Sequence, residues 1–220
     1  MITFTATFKK YEALVKGIDH SIKQLQSVHA DCFRCTEQCA DCCQAVFDLS
    51  LIESVYINYH FYDSLDKALQ DPILERAEKA DRQAYRLKRK IHKMITQGEK
   101  SEEEVLSLLA EERLRCPFLT ESDLCDLYTF RPITCRIYGL PTIIHGVGHS
   151  CGKSGFKAGA AYKSFNLDRI NQHLAVLSGE LLEELGGREN ALKERLVPLS
   201  TALLTDYDED YFGLRPDCSV

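Results

Sequence analysis

No apolar stretch in this chain approaches the roughly 18 residues that a membrane span requires. Nor does the start, Met1 to Phe8, carry a basic head ahead of an apolar run. A cytoplasmic protein with no membrane partner is the expectation. Positive charge is not in excess either, since 27 Lys and Arg against 33 Asp and Glu give a net charge of -6. That balance argues against a general nucleic-acid binder while leaving room for a local basic face. A glycine-rich strand-turn-helix that would cradle a nucleotide or S-adenosylmethionine is missing as well. With 220 residues and 45% hydrophobic content, a packed globular chain is expected, read as a single domain over 1–220.

What the chain has in quantity is cysteine, 10 in all. Cytoplasmic thiols are kept reduced, so these are expected to be ligands or redox groups rather than a disulfide framework. Cys35, Cys39, Cys42 and Cys43 form a first block, and Cys116, Cys125, Cys135 and Cys151 a second. Soft metals and clusters need several thiolates converging from separate backbone directions, which C-x3-C and C-x2-C spacings at turns deliver. The pattern points to metal without saying which. Neighbouring side chains diverge by about 100° in a helix and to opposite faces in a strand, so Cys42 and Cys43 are not expected to hold one ion in the same way. Either they serve two metals, or one binds and the other is a redox partner, with a vicinal disulfide only as a transient. Cys32 and Cys218 are the least expected ligands, and His145 and His149 are read as hydrogen-bonding or surface residues.

Between and around the cysteines the periodicity is helical. Tyr11, Leu14, Val15, Ile18, Ile22 and Leu25 predict an amphipathic helix over 8–29. Ser50 to Glu53 has the form of a capping box before a helix through Val55, Tyr56, Tyr59 and Tyr62 toward Leu69, its aromatic stripe read as core packing. Asp71-Pro72 reads as the start of a long helix with a seam of Ile73, Ala77, Ala80, Ala84, Leu87, Ile91 and Met94. Opposite that seam, Arg82, Arg86, Arg89 and Lys93 are expected to be a solvated face. Gly98 ends the helix, and Ser101 to Glu104 predicts a second capping box ahead of Val105, Leu106, Leu108 and Leu109. Pro117 and Pro132 are expected to leave Cys116, Cys125 and Cys135 on turns, Cys116 exposed. Glycines 139, 146, 148 and 152 punctuate the loop to Cys151. Leu167 to Leu185, then Gly186-Gly187, then Leu192 to Leu203 predict two closing helices within 160–205, before an acidic stretch over Asp206 to Asp210.

The fold class expected is mainly α: a helical bundle around an irregular cysteine-rich metal-binding centre, with few or no short strands. A short extended pair at Ile133 to Tyr138 and Thr142 to Val147 is the one β candidate, from its β-branched content. The combination of C-x3-C-x2-C-C, Cys116-Pro-Phe-Leu119, Cys125 with Leu127-Tyr128, Arg131-Pro-x-x-Cys-Arg136 and a final Cys151 resembles the YkgJ-type cysteine-cluster family, the zinc- or iron-chelating CxxCxxCC domain. The resemblance covers about residues 35 to 152. It implies Cys35, Cys39, Cys42, Cys43, Cys116, Cys125, Cys135 and Cys151 as metal ligands, and places Arg131, Pro132 and Arg136 on the family's Arg-Pro signature. The chain departs from it in a helical insert, 63–113, within a core spanning 32–152. The upstream Cys32 and one extra residue between Cys35 and Cys39 leave open which of Cys32 and Cys35 is the first ligand.

The function expected is chelation of iron, as an iron-sulfur cluster or otherwise, with Zn2+ as the alternative. Eight thiols exceed what one four-coordinate zinc takes, and Arg131 and Arg136 would donate to the sulfurs and offset thiolate charge. Two other classes stay open. One is a zinc-stapled interaction module with an unknown protein partner. The other is a cluster-dependent enzyme, by analogy with flagellin lysine N-methylases, which carry a similar cysteine-rich region and transfer methyl to protein lysine.

Overall fold

The computed structural model describes residues 5–35, 39–98, 100–101, 104–105, 108, 111–157, 159–186 and 190–214. Glu102, Glu103, Leu106, Leu109, Gly187 and Cys218, invoked above, lie outside the described residues. The architecture is mainly α with a few short strands, as the periodicity predicts.

Helix α1 (Thr5–Val28) turns Phe8, Tyr11, Ile18 and Leu25 inward at helical spacing. Helix α2 (Leu51–Ser64) is buried nearly all round its first two turns, from Leu51 to Asn58. A helix can lie so deep only if neighbours cover every side, and α2 is accordingly the centre of the packing. Its predicted aromatic stripe is half wrong: Tyr56 is buried, but Tyr59 and Tyr62 face solvent and Phe61 takes the core position.

The long helix α3 (Lys67–Thr96) begins earlier than Asp71, with Asp66 as its N-cap accepting the Leu69 amide at 3.0 Å. Pro72 therefore lies inside the helix, and α2 ends at Ser64 rather than Leu69. The predicted seam holds, since Ile73, Ala77, Ala80 and Ala84 are buried. These small side chains let α3 lie close against α6 (Leu199–Leu204), which also packs on α2. Gly98 follows α3 at φ 66°, a left-handed conformation that suits glycine. Beyond it, the Glu104 amide donates to Ser101 Oγ at 3.2 Å and the Ser101 amide to Glu104 Oε2 at 2.8 Å, the reciprocal capping box read from the sequence.

Residues 133–137, expected as extended, form instead the one-turn helix α4 (Ile133–Ile137). Its predicted partner does form a strand, β2 (Thr142–Ile144), which pairs antiparallel with β3 (Val147–His149) and parallel with β4 (Phe165–Asn166). A second small sheet joins β1 (Asp48–Leu49) to β5 (Val197–Pro198). Helix α5 (Leu167–Leu185) closes the bundle against α1 and α2 and ends on Gly186. The final predicted helix is split into a 3-10 turn at Asn190–Glu194, β5 and the short α6.

Two hydrophobic clusters meet on α2. One joins Tyr11, Ile52 and Val55 to Ile133, Ile137 and Leu181. The other joins Ile57 and Phe61 to Ile73, Ala77, Phe118 and Leu127. Each reaches the cysteine region through residues that flank a thiol, Ile133 and Ile137 around Cys135, and Phe118 and Leu127 around Cys116 and Cys125. The core thus positions the second cysteine block directly. Because Ala77 is wholly buried in the second cluster, Ala77→Leu is expected to overpack it and cost about 1–3 kcal/mol, read as a lower urea midpoint at unchanged slope.

Candidate metal centre

The first cysteine block is shaped by a 3-10 turn, Asp41–Gln44, closed by the Cys43 amide donating to the Ala40 carbonyl at 3.0 Å. This turn brings Cys42 Sγ and Cys43 Sγ to 3.9 Å. The divergence expected for adjacent side chains is thereby overcome. Two ligands of one tetrahedral zinc, each about 2.3 Å from the ion, are about 3.8 Å apart.

The second block is laid against the first by main-chain hydrogen bonds. The Leu114 amide donates to the Gln44 carbonyl at 2.9 Å and the Cys116 amide to the Cys43 carbonyl at 2.8 Å. Cys116 is therefore half-buried beside Cys43, not exposed on a turn as expected. From there a tight loop returns through an isolated bridge between Leu119 and Cys125, with Thr120 Oγ1 accepting the amides of Ser122 and Leu124. Arg76 on α3 anchors this loop, donating to the Pro117 carbonyl at 2.7 Å and to Asp126 at 3.4 Å. Helix α3 thus steadies two cysteines.

Cys135 sits on α4 rather than on a turn. Pro132 starts that helix, and the buried Glu53 Oε1 accepts the Ile133 amide at 3.0 Å. Glu53 also accepts from Ser50 Oγ at 3.1 Å and Tyr11 OH at 3.4 Å. The capping box read at Ser50 is thus redirected: its glutamate also caps a different helix. Cys151 follows β3, and its Cβ lies 3.3 Å from where a side chain on Gly139 would begin. With φ of +84° at Gly139, that close approach requires glycine.

All eight cysteines of the two blocks line one cleft of about 1040 Å³, together with Arg131, Asp41, Lys153, Tyr138 and the Ala84, Leu87 and Ile91 face of α3. Cys32 is not among the lining residues and packs instead with Leu25, Leu140 and Phe156. His145 stands apart in the β2–β3 turn beside Asp168.

The two arginines of the Arg-Pro signature part company. Arg136 donates to the Thr129 and Arg131 carbonyls and to Asp19 at 2.8 Å, so these bonds tie it to the scaffold and not to sulfur. Arg131 stacks 4.0 Å over the Tyr128 ring, and its Nε is buried with no hydrogen-bond partner among the described residues. Its positive charge favours the thiolates of Cys42, Cys125 and Cys135. A buried donor without an acceptor is costly, and its presence beside thiols marks a place where an acceptor belongs.

Burial and neighbouring sulfurs favour the neutral thiol at Cys35, Cys42, Cys43, Cys125 and Cys135. Burial pushes Cys135 well above the ordinary thiol range, and burial likewise raises Cys125 and Cys35. Its contact with Cys116, and then burial, push Cys43 up to about 12, while Cys43 and then burial raise Cys42. Among the described residues, no three Cys, His, Asp or Glu already stand in the geometry of a formed metal site. The donor types and the orphaned Arg131 nevertheless fit a thiolate-bound cation.

A family model described as "Putative zinc- or iron-chelating domain" and written CxxCxxCC matches residues 34–152. The chain belongs to this family. No curated protein and no solved structure matches it. Sequence reading passed over Asp41 and Arg76, and took Glu53 as the glutamate of a capping box and not as a support of the site. Of the two passed over, Asp41 carried a signal, lying between Cys39 and Cys42.

Glu53 generates a test. Burial raises its carboxyl above the usual range, against the lowering effect of the Ile133 amide and Ser50. The folded chain therefore holds this proton more tightly than the unfolded one, so the stability it contributes falls as pH rises from about 4.3 through the folded value. Glu53→Gln should remove that slope from a plot of unfolding free energy against pH. Glu53→Ala should cost about 1–3 kcal/mol at any pH by leaving the Ile133 amide unpaired.

Proposed function

We propose that this chain is a YkgJ-type protein of the cytoplasm that chelates iron or zinc through thiolates in the cysteine cleft. The observation that carries the proposal is the convergence of all eight block cysteines, distant in sequence, on one cleft. Cys35, Cys39, Cys42, Cys43, Cys116, Cys125, Cys135 and Cys151 are the ligands proposed, with Arg131 donating to sulfur from within the cleft. Iron held as an iron-sulfur cluster is supported by the thiol surplus and by that unpaired donor, since hydrogen bonds to the sulfurs tune such clusters. When bound, such a group supplies one-electron chemistry. Zinc is the second reading, favoured by the 3.9 Å contact of Cys42 with Cys43, and it would supply structure without redox chemistry.

The chain's own part is the same in both cases. The 3-10 turn and the strap at 114–116 set the register of the thiols, α4 presents Cys135, and Arg131 offsets negative charge as protons leave.

Protein purified without oxygen is expected to carry stoichiometric metal that is lost in Cys39→Ser and Cys135→Ser. Brown colour with iron and acid-labile sulfide would establish the cluster, and a colourless protein with zinc the second reading. Readily oxidised thiols with neither metal would sink chelation. Burial raises Cys135, and contact with Cys116 and then burial raise Cys43, so metal must displace protons from these thiols and affinity in a competition assay against a chelator should fall as pH is lowered. Arg131→Met removes an unpaired donor rather than a hydrogen bond. It should weaken metal retention by about ten- to a hundredfold while leaving the melting temperature of the metal-free protein nearly unchanged.

A further inference from the structure

We propose that the groove between α1 and α5 docks an amphipathic helix of a partner protein, one with an apolar face and acidic flanks. The proposal goes beyond chelation and does not depend on it, since the groove lies between two helices and none of the residues that line it is a cysteine.

The bridges between the two helices show that they run antiparallel. Near one end the Thr7 amide donates to Glu184 Oε2 at 2.9 Å and Lys10 Nζ to Glu180 Oε2 at 2.9 Å. At the other, Lys163 Nζ, just ahead of α5, reaches Gln24 Oε1 at 3.1 Å. The stretch of α1 from Lys10 to Gln24 spans about 21 Å at about 1.5 Å per residue. Between the bridges lies a groove of about 770 Å³, with Ile18 and Leu177 buried in its lining and Leu14 and Ile170 half-buried. Its α1 wall is low. Ala13 and Gly17 are exposed, Ser21 turns its hydroxyl back to the Gly17 carbonyl at 3.0 Å, and a side chain added at Gly17 would begin in open space. A glycine in the middle of a helix is unfavourable for the helix itself, and a low wall lets another helix come close. On the α5 side Val176 stands 58% exposed.

Charge along the groove is uneven. Glu180, the one carboxylate among the described lining residues, is spent on Lys10. Lys163 is held by the neutral amide of Gln24, so its charge is not balanced there. Arg169 bonds through its main-chain amide, to Asn166 Oδ1 at 2.9 Å, and its guanidinium has no partner among the described residues. Asp168 is not part of the lining and accepts the His145 amide at 2.8 Å. Two uncompensated cations therefore flank an apolar furrow at the start of α5, where the helix dipole adds further positive potential. On a chain of net charge -6 this is a local basic face.

Two helices side by side leave a furrow that matches a third helix laid along them, here of about four turns. Apolar residues at helical spacing enter the furrow while Glu or Asp on the flank meets Lys163 and Arg169; a basic flank would be repelled. A second copy of this chain matches less well. In a twofold contact the same patch meets itself, and this patch brings one carboxylate, already paired, to Lys10, Lys163 and Arg169. A contact of this length buries less than a standard interface, so the complex is expected to be transient.

The test titrates the full chain into a fluorescein-labelled synthetic helix of about 16 residues, with Leu at helical spacing on one face and Glu on both flanks, beside the same peptide with Lys for Glu. Fluorescence anisotropy should show saturable, micromolar binding of the Glu peptide, about tenfold tighter than the Lys peptide and weaker as salt rises. Arg169→Glu should weaken it about tenfold, and Gly17→Phe, which fills the furrow, should abolish it. Both variants should keep the metal content of the wild type, since neither residue lines the cysteine cleft. Far-ultraviolet circular dichroism checks that each is folded, and Arg169→Glu carries the test should Gly17→Phe not fold. Equal binding of the two peptides, no saturable binding below about 1 mM, or a folded Gly17→Phe chain that binds as tightly as the wild type overturns the proposal while leaving chelation standing. A wild type that sediments as a dimer, and as a monomer in Gly17→Phe, overturns it in favour of a second copy. Binding to phosphatidylserine vesicles that is lost in Arg169→Glu, with no peptide bound, overturns it in favour of a membrane surface.

Discussion

A single buried carboxylate ties the bundle to the cysteine centre. Glu53 is almost wholly buried, and its bonds reach Tyr11 on α1, Ser50 at the start of α2 and the Ile133 amide at the start of α4. Burying a carboxylate is unfavourable unless several donors meet it, so the three elements must arrive together for any of the bonds to be worthwhile. The position of Cys135 follows from that junction: α4 is a single turn, too short to hold its own shape, and Glu53 supplies the cap that its first amide lacks. Polar satisfaction at the heart of the bundle thereby sets the placement of a thiol at its edge.

The second constraint is the insert. Ala77, Ala80 and Ala84 let α3 lie against α6, and from that position Arg76 holds the loop carrying Cys116 and Cys125 while Ala84, Leu87 and Ile91 wall the cleft. The long helix between the two cysteine blocks is therefore part of the site's support. The basic residues on its far side remain exposed, and Lys88 pairs with Asp48 at 2.7 Å.

Much of the fold was legible because it obeys local rules. Helix α1, the α3 seam and the Ser101–Glu104 capping box are patterns of spacing that the structure keeps. Errors arose where a distant partner decided the outcome. Ile133 to Tyr138 has β-branched content, yet Pro132 and the Glu53 carboxylate, 80 residues away, start a helix there. Asp71-Pro72 looks like a helix start, but Asp66 caps five residues earlier, and a proline near the first turn loses only one hydrogen bond. Tyr59 and Tyr62 look like core by composition and are exposed because the neighbours of α2 cover its other sides. At the site, two blocks of clustered cysteines were visible in the sequence, with the choice between Cys32 and Cys35 left open. Their convergence, the 3.9 Å approach of Cys42 to Cys43, the unpaired Nε of Arg131 and the diversion of Arg136 to Asp19 are all products of tertiary packing.

The strap that joins residues 114–116 to 43–44 is made of main-chain hydrogen bonds, from the Leu114 and Cys116 amides to the Gln44 and Cys43 carbonyls. None of these bonds uses a sulfur. The two cysteine blocks are thus held in step by backbone alone, in the way adjacent strands hold register, and the alignment does not depend on what the thiols are doing. A Cys-to-Ser change at Cys43 or Cys116 would leave both of these bonds available, because each is made by peptide groups alone.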